Sequence, residues 1–240
     1  MSMRVSDSCA MPGSKWRVVV ETLVILYLYY CLVGVFQILP PVALKSLGLH
    51  LDLRPGTAIT LGGVLLAELI ALGGVRLYYK RKGIALAQLG WQLPANKGTT
   101  LVLALAAALL YIGYTLQIPE VRENFTEVSL FRMWGLVVGV GAGFLEEIVF
   151  RGYVMTRLQQ VGIVPAVQVL LAAVAFSLLH IGFGFVGVLC TFVVGLALGG
   201  LYLLGRRSLL GPVVCHGLIN AAIEPWLLLW LLRFYAEKFA

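Results

Sequence analysis

The sequence predicts an all-α polytopic membrane protein with about seven transmembrane helices, six to eight being compatible with the pattern. Three observations carry this. Of 240 residues, 60% are hydrophobic and 12% charged, whereas water-soluble chains run at roughly 45–50% and about 25%. Mean hydropathy is +0.95. Finally, the apolar residues gather into stretches of about 20, the length needed to cross the hydrocarbon core. A soluble domain, a disordered tail and a disulfide-stapled module are excluded.

Seven stretches qualify: 18–39, 57–79, 99–117, 133–156, 163–181, 185–205 and 209–232. The first follows Lys15 and Arg17, is too long for a signal-peptide core and runs into Pro40-Pro41 without a small-residue cleavage pattern, so it reads as a retained anchor. The connections are short, and 118–132, with Glu120, Glu123 and Glu127, is the most acidic. With no soluble linker and no internal repeat, residues 1–240 form one membrane domain. Spans one to three lie in 1–130 and spans four to seven in 131–232.

Net charge is +7, but the cations mark loops, and no basic stretch is interleaved with aromatics as a nucleic-acid surface would be. The expected partners are membrane lipid and a membrane-associated peptide or protein, and no nucleic acid. With the N-terminus cytoplasmic, Arg4, Lys15, Arg17, Arg76, Lys80, Arg81, Lys82, Lys97, Arg151, Arg157, Arg206 and Arg207 fall inside. Lys45, Arg54, Arg122, Arg132, Arg233 and Lys238 fall outside, so the positive-inside bias favours that orientation. The compact, short-looped chain fits a prokaryotic inner membrane. Cys9, Cys31, Cys190 and Cys215 share no metal-type spacing and read as small core residues with no disulfide framework.

Polar groups inside spans are costly and default to function. Span four contains Glu146, Glu147 and Arg151, span five His180, and span seven His216 and Asn220. The third histidine, His50, lies in a loop. Glu147 and Arg151 are four apart and can pair on one helix face. That leaves Glu146 about 100° around the helix as an unpaired carboxylate, suited to a general base. Gly135, Gly139 and Gly143 form a stripe along which another helix can approach closely. His216 and Asn220 share a face that Glu224 continues just before Pro225, and together they can stabilise an oxyanion. The same residues could serve packing alone: a buried ion pair, and interhelical polar contacts by His180, His216 and Asn220. Counting residues from the turns places Glu146, His180 and His216 near the same depth, where they can share a cavity.

Glu-Glu-x-x-x-Arg at 146–151, Phe-x-x-x-His at 176–180 and His-x-x-x-Asn at 216–220, in that order and inside spans, resemble the CPBP family of CAAX prenyl endopeptidases and bacteriocin-processing (ABI) proteins. The resemblance covers 146–220, with spans four to seven as the family core. It implies an intramembrane endopeptidase of glutamate type, in which Glu146 activates water with help from His180. It also implies that Glu147 and Arg151 support the site and that His216 with Asn220 stabilises the oxyanion. The substrate would be a membrane-associated peptide or protein: a CAAX-type tail, a sorting-signal tail or a leader peptide. The family is often described as metalloproteases, and a zinc ion, if present, would use Glu146, His180 and His216. The chain lacks His-Glu-x-x-His, and water activation by glutamate without a cofactor is favoured. The alternative is a non-catalytic peptide-binding or immunity scaffold, which has no need of an unpaired Glu146. A proton-coupled transporter ranks last, because the chain lacks symmetric halves.

Overall fold

The computed structural model describes residues 15–49, 52–83 and 86–230, and among these every regular element is helical. The helices are α1 (Lys15–Ser46), α2 (Leu53–Lys82), α3 (Lys97–Thr115), α4 (Pro119–Asn124), α5 (Leu130–Glu147), α6 (Thr156–Gln160), α7 (Pro165–Leu178), α8 (Gly184–Leu204) and α9 (Leu210–Ile223). A π-helical segment, Ile148–Met155, joins α5 to α6 without a break. Cys9, His50, Arg4, Arg233, Lys238 and the end of the seventh predicted span lie outside the described residues.

Each predicted span coincides with a helix. Five of these are long and apolar enough to cross a membrane, the fourth being the continuous Leu130–Gln160 rod, while α7 and α9 are shorter apolar helices. Large apolar side chains such as Leu28, Leu69, Leu110 and Phe185 stand exposed on the outer faces of α1, α2, α3 and α8. Such a surface suits lipid and is unsuited to water. The protein is an integral membrane protein.

Some boundaries differ from those predicted. α1 continues through Pro40 and Pro41 to Ser46. α5 starts three residues early because Ser129 caps it, its hydroxyl accepting the Arg132 backbone N–H. α7 starts at Pro165, which needs no hydrogen-bond partner in a first turn. It ends at Leu178, so His180 lies on a turn leading through a short 3-10 segment (Ile181–Phe183) into α8.

α9 packs between α3 and α5, with α2 on the other side of α5 and the α7–α8 hairpin beside the π segment. The glycine stripe of α5 makes the α5–α9 contact possible. A Cβ on Gly135 would fall 2.5 Å from Pro225 Cδ, one on Gly139 3.2 Å from Asn220 Cβ, and one on Gly143 3.2 Å from His216 Cγ. One end of the bundle is tied by Arg54, which pairs with both oxygens of Glu127 and lies over the Phe131 and Trp226 rings. The other is tied by Arg157, which pairs with Glu21, and by Leu209 N–H donating to Gly90 O.

Candidate active site

Glu146 and Glu147 are consecutive on one helix and therefore point apart. Glu146 lines a cavity of about 340 Å³, and Glu147 is fully buried behind it. His180, from the α7–α8 turn, and His216 and Asn220, from α9, line the same cavity. The structure therefore brings together the side chains that the helix-depth count placed at one level. Val64, Ile219 and Ile223 are among the residues forming its apolar wall.

Behind the cavity, Arg151 Nη1 donates to Glu147 Oε1 at 2.7 Å, with both side chains wholly buried. Arg151 Nη2 donates to Gly195 O of α8 at 3.1 Å. The π segment leaves this i,i+4 pairing intact while running through residues that are all buried. π segments are rare and gather at functional sites.

His216 extends the network in a way that spacing did not anticipate. Its Nδ1 lies 2.9 Å from Glu147 Oε1, the oxygen that also accepts from Arg151. A carboxylate oxygen can only accept, which assigns the proton to Nδ1. Nε2 faces Glu146 Oε2 at 3.6 Å, beyond direct hydrogen-bond length. The imidazole thus joins the two glutamates, one on each ring nitrogen. Asn220 shares its helix face but is held separately, its Nδ2 donating to Gly139 O at 2.9 Å. One of its two amide hydrogens is thereby used, and the other is left for a ligand.

His180 Nδ1 lies 3.0 Å from Phe176 O, one turn back. The Phe176 ring touches three charged or polar groups of the site. It lies 5.0 Å from the His180 ring, 5.6 Å edge-on to the His216 ring and 4.9 Å from the Arg151 guanidinium. In the sequence Phe176 is only the first residue of a spaced motif. In the fold it is the apolar spacer that sets both imidazoles.

Two groups from outside the predicted set also reach the site. Glu68 of α2 is 1% exposed. It lies close enough to Glu146 and to Tyr29 of α1 to interact electrostatically with both. A glutamate in the middle of span two was the signal available for finding it. Glu224, at the end of α9, lines the cavity, and its Oε2 is buried without a hydrogen-bond partner.

Metal ligation fits this arrangement poorly. A two-histidine-plus-carboxylate zinc set needs three donors converging at about 2 Å from one point. Among the described residues no three His, Cys, Asp or Glu side chains converge in this way.

Comparison with known proteins gives one match. Residues 128–222, from just before α5 to the last turn of α9, match the family model described as type II CAAX prenyl endopeptidase Rce1-like. No curated protein and no solved structure matches the chain.

Proposed function

We propose, for a chain whose residues 128–222 match the Rce1-like CAAX prenyl endopeptidase family, that Glu146 activates the water that cleaves a peptide bond inside the bilayer. The match supports a peptide hydrolase of the membrane. The glutamate mechanism, the residue roles and the substrate are our reading. The observation that carries it is the division of labour between adjacent carboxylates: Glu147 is fully buried with its Oε1 held by both Arg151 and His216, whereas Glu146 faces the cavity.

In this reading Glu146 takes a proton from a water held between it and the scissile carbonyl. His180, on the same cavity wall, orients that water. Attack places negative charge on the carbonyl oxygen, which the uncommitted amide hydrogen of Asn220 stabilises together with the Nε2–H of His216 in its doubly protonated form. The proton then passes from Glu146 to the departing amine. Glu147 and Arg151 hold the His216 ring in one orientation and favour its protonated form, as a fixed carboxylate does for other catalytic imidazoles. No step runs through a metal.

The proposed substrate is a membrane-associated peptide or protein with a hydrophobic or lipid-bearing tail, or a leader peptide. The proposed setting is a prokaryotic cell membrane with the N-terminus cytoplasmic. The decisive experiment incubates wild-type and Glu146→Gln protein in liposomes with a panel of quenched hydrophobic peptides. Cleavage by the first and none by the second supports the reading. Equal cleavage by both removes Glu146 from the mechanism.

A further inference from the structure

The cavity is lined by more carboxyl groups than lysines or arginines. Among its described lining residues are two carboxylates, Glu146 and Glu224, and neither a lysine nor an arginine. In the reading above Glu146 works on water, which leaves Glu224 without a task. Its Oε2 is buried without a hydrogen-bond partner. The nearby arginine does not supply one. The Arg132 guanidinium donates instead to the backbone carbonyls of Ala221, Ala222 and Glu224, closing the C-terminal end of α9. The stem of Glu224 packs on α5, its Cβ and Cγ lying 3.3 and 3.4 Å from where a Gly139 Cβ would stand. The stem is therefore fixed against α5 beside the cavity.

A buried acceptor left unpaired is expensive unless a ligand completes it. With carboxyl groups in excess of lysines and arginines and apolar walls from Ile223, Leu227 and Leu228, the fitting guest is a cation on an alkyl stem. Its distance from the chemistry follows from the helix. Glu224 is eight residues beyond His216 on the same face, about 12 Å along the axis. That equals about three to four residues of extended peptide.

We infer that Glu224 selects substrates carrying a lysine or arginine about three to four residues from the scissile bond, on the side toward the Leu130 end of the bundle. This rests on the endopeptidase reading and adds a substrate class to it. A peptide binds along α9 with its reacting bond between Glu146 and His216, and its basic side chain reaches Glu224.

Binding and cleavage test the two claims separately. Fluorescent apolar peptides, each with one lysine or its uncharged isostere norleucine at a chosen position, are titrated onto Glu146→Gln protein in nanodiscs. Lysine at the favoured positions binds about tenfold more tightly than norleucine. In the Glu146→Gln, Glu224→Gln double variant the ratio falls to within about twofold. If that variant does not fold, Glu146→Gln with Glu224→Met makes the same comparison. An unchanged lysine-to-norleucine ratio in the double variant overturns the inference. Absence of cleavage of every peptide by the wild-type protein would overturn the endopeptidase reading instead, and the binding ratio would still decide the role of Glu224.

Discussion

His216 Nδ1 and Arg151 Nη1 both meet Glu147 Oε1, at 2.9 Å and 2.7 Å. A single buried carboxylate oxygen therefore fixes a guanidinium behind it and an imidazole in front. The consequence is directional. With Nδ1 tied down, the His216 ring can present only Nε2 to Glu146 and to anything bound in the cavity.

Breaking this junction from behind tests its cost. Arg151→Met leaves Glu147 buried without its cation, and loss of one partner of a buried pair costs about 3–5 kcal/mol. Thermal unfolding in detergent is expected to fall accordingly, and peptide cleavage with it. Glu147→Gln keeps the volume but can no longer balance Arg151, so it is expected to be unstable as well as inactive. Wild-type stability in both variants would show that the pair is dispensable.

The glycine stripe makes a milder prediction. A methyl group at 143 would sit 3.2 Å from both His216 Cγ and Asn220 Nδ2. Gly143→Ala therefore displaces the two groups by a few tenths of an ångström without unfolding the bundle. Cleavage should drop on the order of 10–100-fold, with thermal stability close to wild type. Unchanged activity would mean that α9 can shift freely relative to Glu146.

Glu68 predicts a trade between stability and activity. Its carboxyl is buried against Glu146 and Tyr29, and relieving the burial of such a group is expected to raise stability by about 1–3 kcal/mol. Glu68→Met should thus melt at a higher temperature while cleaving more slowly, because a carboxyl group beside Glu146 has been removed. A lower melting temperature would show that Glu68 has a structural role.

One ion pair outside the spans gives a pH dependence. The Ser129 hydroxyl and the Arg54 guanidinium hold the Glu127 carboxyl below its ordinary range. A depressed carboxylate stabilises above its unfolded value and loses that contribution as pH falls through the folded one. Glu127→Gln should therefore melt below wild type at neutral pH, with the gap closing below about pH 4. A gap that persists in acid would assign the effect to packing.

The helices and the site were legible in the sequence to different depths. Spans could be read because lipid demands about 20 apolar residues, which leaves a strong signal. The Glu147–Arg151 pair and the approach at Gly135, Gly139 and Gly143 followed from helix periodicity alone. The contact of His216 with Glu147 did not, because it joins positions on two helices and depends on their rotation about their axes. Nor did the π segment, since Ile148–Met155 carries no residue that a regular helix would refuse. Phe176 was hidden by being one phenylalanine in an apolar helix. Glu68 was visible as an intramembrane glutamate, but only the fold brings span two against span four.

Chelators give a check on the chemistry. The donor arrangement does not suit zinc, so cleavage should survive dialysis against a zinc chelator, with no stoichiometric zinc in the active protein. Loss of cleavage that zinc restores would replace glutamate-activated water with a metal-bound nucleophile.

Everything proposed for the site turns on Glu146 being the base. The most direct measurement is the rate of hydrolysis of one cleaved peptide by wild-type and Glu146→Gln protein reconstituted side by side, with equal melting temperatures established first. A general base at this position predicts a fall of at least about 10²–10⁴-fold. A variant that folds normally and retains activity within a few-fold of wild type would contradict it.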